Sequence, residues 1–221
     1  GDSDEDRTAY GEVVLAAIGR VPNTDADWFR SSGLKLDERG YVTVDGYGRT
    51  NLDGVWALGD ITPGHALAHR AFEQGITIAE KIAGADPKPV IDDTVPQVVF
   101  SFPEAASVGL TLDQAKARED VVEPKETAYP MLSNARMLMS GEGGSMTVVS
   151  GAFANNPDMQ VVLGVHIVSP IASDLIAEAE QLVGNRVPLA DAARLIHPHP
   201  TFSETLGEAL LKADGRPLHT R

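Results

Sequence analysis

The chain has 221 residues, with 18 basic and 32 acidic side chains, a net charge of -14 and no cysteine. That length suits one large domain or two small ones, and an apolar content of 43% supports a folded core. The acidity argues against nucleic acid or an anionic membrane as partner, and the missing thiols exclude disulfide scaffolds, thiolate metal sites and a redox dithiol from these residues. No apolar run approaches the ~20 residues of a membrane helix. The stretch GDSDEDRTAYG has neither the basic nor the apolar region of a signal peptide, which agrees with a cytoplasmic setting.

EVVLAAIG (12–19) is a continuous apolar run closed by Gly19 and predicts a buried strand. Pro22 and Asn23 then turn the chain. GYVTVDG (40–46) alternates between glycines and predicts a short strand, and GVWALGD (54–60) a second buried one. Over 66–83 the apolar spacing changes to that of a helix, through Leu67, Phe72, Ile76, Ala79 and Ile82, with Gly84 as its stop. Prolines and charges in ADPKPVIDD (85–93) mark a domain boundary. Beyond it, strands are predicted at 96–102, 105–109, 125–130, 145–153 and 160–168. A short helix opens after Thr111, where Thr-x-x-Gln forms a capping box ending at Gln114. Helices follow near 170–183, 188–196 and 202–213, the second with Pro188 in its first turn. Strands followed by helices give an α+β second domain, an antiparallel sheet covered on one face.

Few residues suggest chemistry. Gly59-Asp60 after a strand can bring a carboxylate to the sheet edge where nucleotide cofactors lie, so Asp60 can accept from a sugar-like hydroxyl. The same dipeptide equally serves to turn the chain. In HPHPTFSE (197–204), His199 and Glu204 are five residues apart, the makings of an acid–base pair. Thr201-x-x-Glu204 is also a capping-box spacing, so Glu204 has a helix-capping reading beside the catalytic one. Pro198 and Pro200 stiffen the backbone around His199, which suits a held imidazole. His197 reads as structural, and His65, His69, His166 and His219 have no metal-ligand spacing. NARMLMSGEGG (134–144) reads as a Met-rich core filler before a glycine turn. Neither G-x-G-x-x-G nor a Walker sequence occurs.

Six segments occur in order: AAIGRVPN, GVWALGD, ALAHRAFEQG, FPEAASVGLT, LGVHIVSPIASDLIAEA and HPHPTFSE. Together they resemble the C-terminal half of the flavin-dependent pyridine nucleotide–disulfide oxidoreductases, the dihydrolipoamide dehydrogenase branch in particular. The resemblance implies three parts: 1–23 as the end of an NAD-binding domain, 24–90 as the C-terminal part of an FAD-binding region, and 91–221 as a dimerisation domain. It implies that Gly19 lies near NAD and that Asp60 holds the flavin's ribityl chain. Ala66, Leu67, Ala68 and His69 would form a helix start whose backbone approaches the flavin. The family commonly has Met at the position of Ala66, which leaves a backbone contact there.

The resemblance further implies that His199 is the acid–base histidine, oriented by Glu204, and faces the redox disulfide of the partner subunit in a homodimer. The implied activity is oxidation of dihydrolipoyl groups through that disulfide and FAD to NAD, with a 2-oxo acid dehydrogenase complex as a further partner. Because the cysteine pair and both glycine loops are absent, the chain is expected to be a C-terminal fragment, inactive alone and holding neither cofactor tightly. An NADPH-linked reductase of another small disulfide, or a stand-alone dimerisation module, are the alternatives. The apolar stretches 161–168 and 175–183 are candidates for a dimer interface or for core.

Overall fold

The computed structural model describes residues 10–220, and its centre is one antiparallel sheet. Strands β1 (Gln97–Val99), β2 (Glu104–Gly109), β3 (Val121–Pro130), β4 (Ser145–Phe153) and β5 (Asn156–Ser169) are ordered β1-β2-β5-β4-β3. The helices are α1 (Asp27–Ser31), α2 (Ala68–Ile82), α3 (Leu112–Ala117), α4 (Ala135–Ser140), α5 (Ala172–Gly184), α6 (Leu189–Ala192) and α7 (Glu204–Ala213). The molecule is α+β, as its sequence predicts.

Period-two alternation sets the register. Ala106 and Val108, Val165 and Ile167, Met146 and Val148 turn to one face, where α5 packs on β2 and β5 and α7 on β3 and β4. Their neighbours Ser107, His166 and Thr147 line an open groove on the other face. That second face is not bare throughout. Leu110, Ala115, Val121, Val149, Val161 and Leu163 form a smaller core under α3, so the sheet is covered on both faces at this end. Gly109 makes the close approach possible: its φ is 78°, and any Cβ there would collide with the Leu163 carbonyl.

The strands at 105–109 and 145–153 form where predicted, while β3 and β5 each start earlier than expected and β3 absorbs a bulge between Val122 and Lys125. The Thr111 box is complete, with the Thr111 hydroxyl accepting from the Gln114 amide and the Gln114 side chain accepting from the Thr111 amide. The stretches 161–168 and 175–183 fill the core of this chain, through Val161, Val165 and Ile167 and through Ile176, Ala179 and Leu182. Most of their apolar side chains are thus core, with Val168 left exposed.

Several expectations fail. Residues 12–19 form no strand, and Val13, Val14, Leu15 and Ile18 are 87% to 98% exposed. A strand needs hydrogen-bonded neighbours, and among the described residues none lies beside this run. The stretches 40–46 and 54–60 reduce to single bridges, Leu36 with Val42 and Arg49 with Trp56, around a small core of Phe29, Val42 and Ala57. The predicted strand at 96–102 ends at Val99, with Phe100 and Phe102 exposed. The predicted helix at 188–196 keeps only Leu189–Ala192, with Pro188 as its N-cap rather than inside its first turn. The Met segment contains the unpredicted α4: the Asn134 side chain accepts from the Met137 amide, and Gly141 ends the helix in the left-handed region. Met137 fills core, but Met139 is exposed. Of the expected unit 1–23, residues 1–9 lie outside the described residues.

Candidate functional site

Two groups of the sequence-derived residues assemble, at the starts of α7 and α2. At α7, His199 Nδ1 lies 2.9 Å from Glu204 Oε1, and Glu204 Oε2 accepts from the Thr201 amide at 2.8 Å. One carboxylate thus makes both contacts that sequence reasoning treated as alternatives. Only half of the capping box forms, because the Thr201 hydroxyl donates to the Pro198 carbonyl and meets Ser203 Oγ instead of capping the helix. Asn134 Nδ2 donates to the Thr201 carbonyl and ties this turn to α4.

The His199 side chain is 70% exposed and that of Glu204 21%. With Nδ1–H directed to the carboxylate, Nε2 becomes the nitrogen that can take or give a proton outside. Burial opposes ionisation of Glu204, but the Thr201 amide and the His199 imidazole outweigh it and hold the carboxyl below the usual glutamate range. A carboxylate held charged in this way stabilises an imidazolium beside it.

At α2, the strand expected to deliver Asp60 is replaced by a 3-10 turn, Gly59–Ile61. Gln74 of α2 accepts from the Gly59 amide at 2.8 Å, and Thr62 Oγ1 donates to the Gly59 carbonyl, which fixes Asp60 beside the helix. The half-exposed Asp60 carboxylate has, among the described residues, a loose surface pairing, 3.6 Å to Arg20. Leu67 is the N-cap of α2 and gives no side-chain cap, so the first amides of this helix, from Ala68 and His69, stay available. Ala66 is exposed, and His69 Nε2 is bound 2.7 Å from the Pro96 carbonyl, joining α2 to the edge of the sheet. An uncapped helix start beside an exposed, loosely paired carboxylate fits a polar cofactor group. Gly19 stands apart, in an extended exposed stretch with nothing within 4 Å of where its Cβ would be.

Two further histidine–glutamate pairs escaped the sequence reading. His197 Nε2 lies 2.7 Å from Glu178 Oε1, and His219 Nδ1 lies 2.7 Å from Glu208 Oε1. Partners 19 and 11 residues away leave no local spacing to recognise. Glu208 is one turn after Glu204 on α7, a periodicity that marks it as a neighbour but does not show its histidine. Among the described residues no cluster of three or more His, Asp or Glu has the arrangement of a metal site.

Residues 95–210 match the pyridine nucleotide-disulphide oxidoreductase dimerisation domain, and residues 2–75 the pyridine nucleotide-disulphide oxidoreductase domain. The chain is 41% identical over 215 residues to a dihydrolipoyl dehydrogenase of Cupriavidus necator, covering 96% of this chain and 44% of that one. It is 39% identical to the dihydrolipoyl dehydrogenase of Geobacillus stearothermophilus, again across 97% of this chain and 44% of the relative. The crystal structure of LpdA from Mycobacterium tuberculosis superposes with a TM-score of 0.79 at 31% identity, over 89% of this chain and 42% of that one. The chain thus spans less than half the length of the relatives it matches. With more than half of its residues matching the dimerisation domain, it belongs to the pyridine nucleotide-disulphide oxidoreductase family.

Proposed function

We propose that this chain supplies the acid–base end of a dihydrolipoyl dehydrogenase, in which His199 takes the proton of a dithiol and Glu204 orients and steadies the resulting cation. The observation that carries the reading is the His199–Glu204 contact of 2.9 Å on a largely exposed imidazole. The proton moves from sulfur to His199 Nε2, leaving a thiolate. That thiolate forms a bond to one sulfur of a disulfide, and the bonding pair between the two disulfide sulfurs leaves with the other as thiolate. The disulfide belongs to residues other than these, since the chain has no cysteine.

Asp60 and the backbone amides at Ala68 and His69, preceded by Ala66 and Leu67, are the residues we assign to FAD. Bound FAD supplies a two-electron acceptor. Gly19 is the residue assigned to NAD; among the described residues nothing lies within 4 Å of where its Cβ would be, and no step is derived there. The same reading divides the chain into 1–23, 24–90 and 91–221, supported by the irregular stretch before the turn Asp92–Thr94. It extends to a cytoplasmic homodimer, for which the dimerisation-domain match is the support, and to a place in a 2-oxo acid dehydrogenase complex.

In the full-length holoenzyme, His199→Gln is expected to lower dihydrolipoamide oxidation by roughly 100- to 10,000-fold with flavin content unchanged. Glu204→Gln should lower it less, since the imidazole remains. Retention of dithiol turnover by His199→Gln would refute the assignment. A mixed dimer tests the subunit arrangement. Pairing a His199→Gln subunit with one that lacks the redox cysteines restores one intact site if histidine and disulfide come from different subunits. It restores none if they come from the same one.

A further inference from the structure

His197 takes no part in that chemistry, yet it is the better buried of the two histidines in the segment. Its side chain is 9% exposed, and its Nε2 is held 2.7 Å from Glu178 Oε1 on α5. The ring lies against Gly207 of α7, where a Cβ would fall 2.5 Å from Nδ1. Only a glycine at that helical position leaves room for the imidazole. The segment 197–204 is therefore fastened at both ends: to α5 through His197 and Glu178, and to α7 through His199 and Glu204. Pro198 and Pro200 restrict the backbone between and beside these anchors, so a displacement of the His197 ring passes to His199 instead of being absorbed.

We propose that His197 and Glu178 form a positioning pair that holds the His199 imidazole where it meets a dithiol, a role that rests on the reading of His199 as the acid–base group. A buried histidine that only packs would give the same contacts but would not separate one half-reaction from the other. The pair is also pH-sensitive. The hydrogen bond to Glu178 raises the His197 pKa above its ordinary 6.5 and outweighs partial burial, with the charge of Glu204 adding to it from α7. Because the folded value is raised, the contribution of the pair is complete below 6.5 and is lost as pH rises through the raised value.

The test uses the full-length, flavin-loaded enzyme with His197→Gln and Glu178→Gln. Two reactions are compared: oxidation of dihydrolipoamide, which needs His199, and reduction of ferricyanide by NADH, which bypasses the dithiol. The kcat for dihydrolipoamide is expected to fall roughly 10- to 100-fold, the scale of a misplacement of order 1 Å at a reacting group. KM should change little and ferricyanide reduction should not change. In Glu178→Gln the alkaline fall of dihydrolipoamide turnover should begin at lower pH, and Glu178→Asp should recover part of the rate. Equal losses in both reactions, or no loss in either, would overturn the proposal. If His197→Gln fails to retain flavin, Glu178→Gln decides, because its residue lies partly exposed on α5. His199→Gln separates the two ideas. Should it abolish dithiol turnover while the His197 and Glu178 variants are silent, only the positioning role fails. Should it leave turnover intact, the acid–base reading fails first.

Discussion

EVVLAAIG at 12–19 and VVLGVHIV at 161–168 are nearly the same kind of sequence, and the fold treats them in opposite ways. In β5 the run has β2 on one side and β4 on the other, and Val161, Val162 and Val165 are at most 1% exposed. The 12–19 run is bare. The contrast extends to whole regions: 92–220 has five paired strands packed by helices, whereas 10–91 has two isolated bridges and a core of three buried residues. An apolar run specifies that a segment must be buried, not which neighbours bury it. What holds the thinner region to the sheet is polar and specific, chiefly Arg70 of α2 on Asp92 at 2.6 Å and His69 on the Pro96 carbonyl.

The largest effect should come from the dense region. Leu206 of α7 is 1% exposed in the main core, and Leu206→Ala should cost roughly 2–5 kcal/mol, read by urea denaturation. A loss under about 1 kcal/mol would mean that this core yields as easily as the thin region. Next comes the link between regions. Arg70 is buried with one guanidinium nitrogen unpartnered among the described residues, so it depends on Asp92. Asp92→Ala should cost about 2 kcal/mol, below the usual figure for breaking a buried pair because Asp92 is partly exposed. Hydrogen exchange should quicken in α2 and stay slow in β4 and β5. Equal quickening in both would show a single cooperative unit.

The sequence made the sheet region legible because its signals are local. The strand pattern at 145–153 and the capping box at Thr111 each act within a few residues. Thr111→Ala, which removes a hydroxyl accepting from the Gln114 amide, should accordingly cost about 1 kcal/mol and leave the rest of the fold in place. A thermal shift indistinguishable from zero would leave the box without energetic weight. The candidate site was half legible for the same reason. His199, Pro200 and Glu204 lie within six residues, and their geometry is as the spacing suggests. Glu178 and Glu208 meet their histidines through tertiary packing of α5 and α7, which no spacing encodes. Asp60 was found for a wrong structural reason, since a turn held by Gln74 presents it instead of a strand.

The smallest expected effect tests the contrast most directly. Leu15 is 88% exposed, so Leu15→Ser removes little buried apolar surface in this chain. Substitutions at such positions usually change stability by no more than about 0.5 kcal/mol, which for a chain of this size shifts Tm by about 2 °C or less. Leu163→Ser changes the same residue type to the same replacement, but Leu163 is 4% exposed in the core under α3. It loses its packing and also places a hydroxyl among Leu110, Val149 and Val161, so its loss should be several times larger. Calorimetry of the two variants beside the parent chain makes the measurement. If Leu15→Ser lowers Tm as much as Leu163→Ser, then 12–19 has a neighbour within this chain, and its apolar run is satisfied in the same way as β5. If it leaves Tm unchanged, the run carries a demand for burial that these residues do not meet.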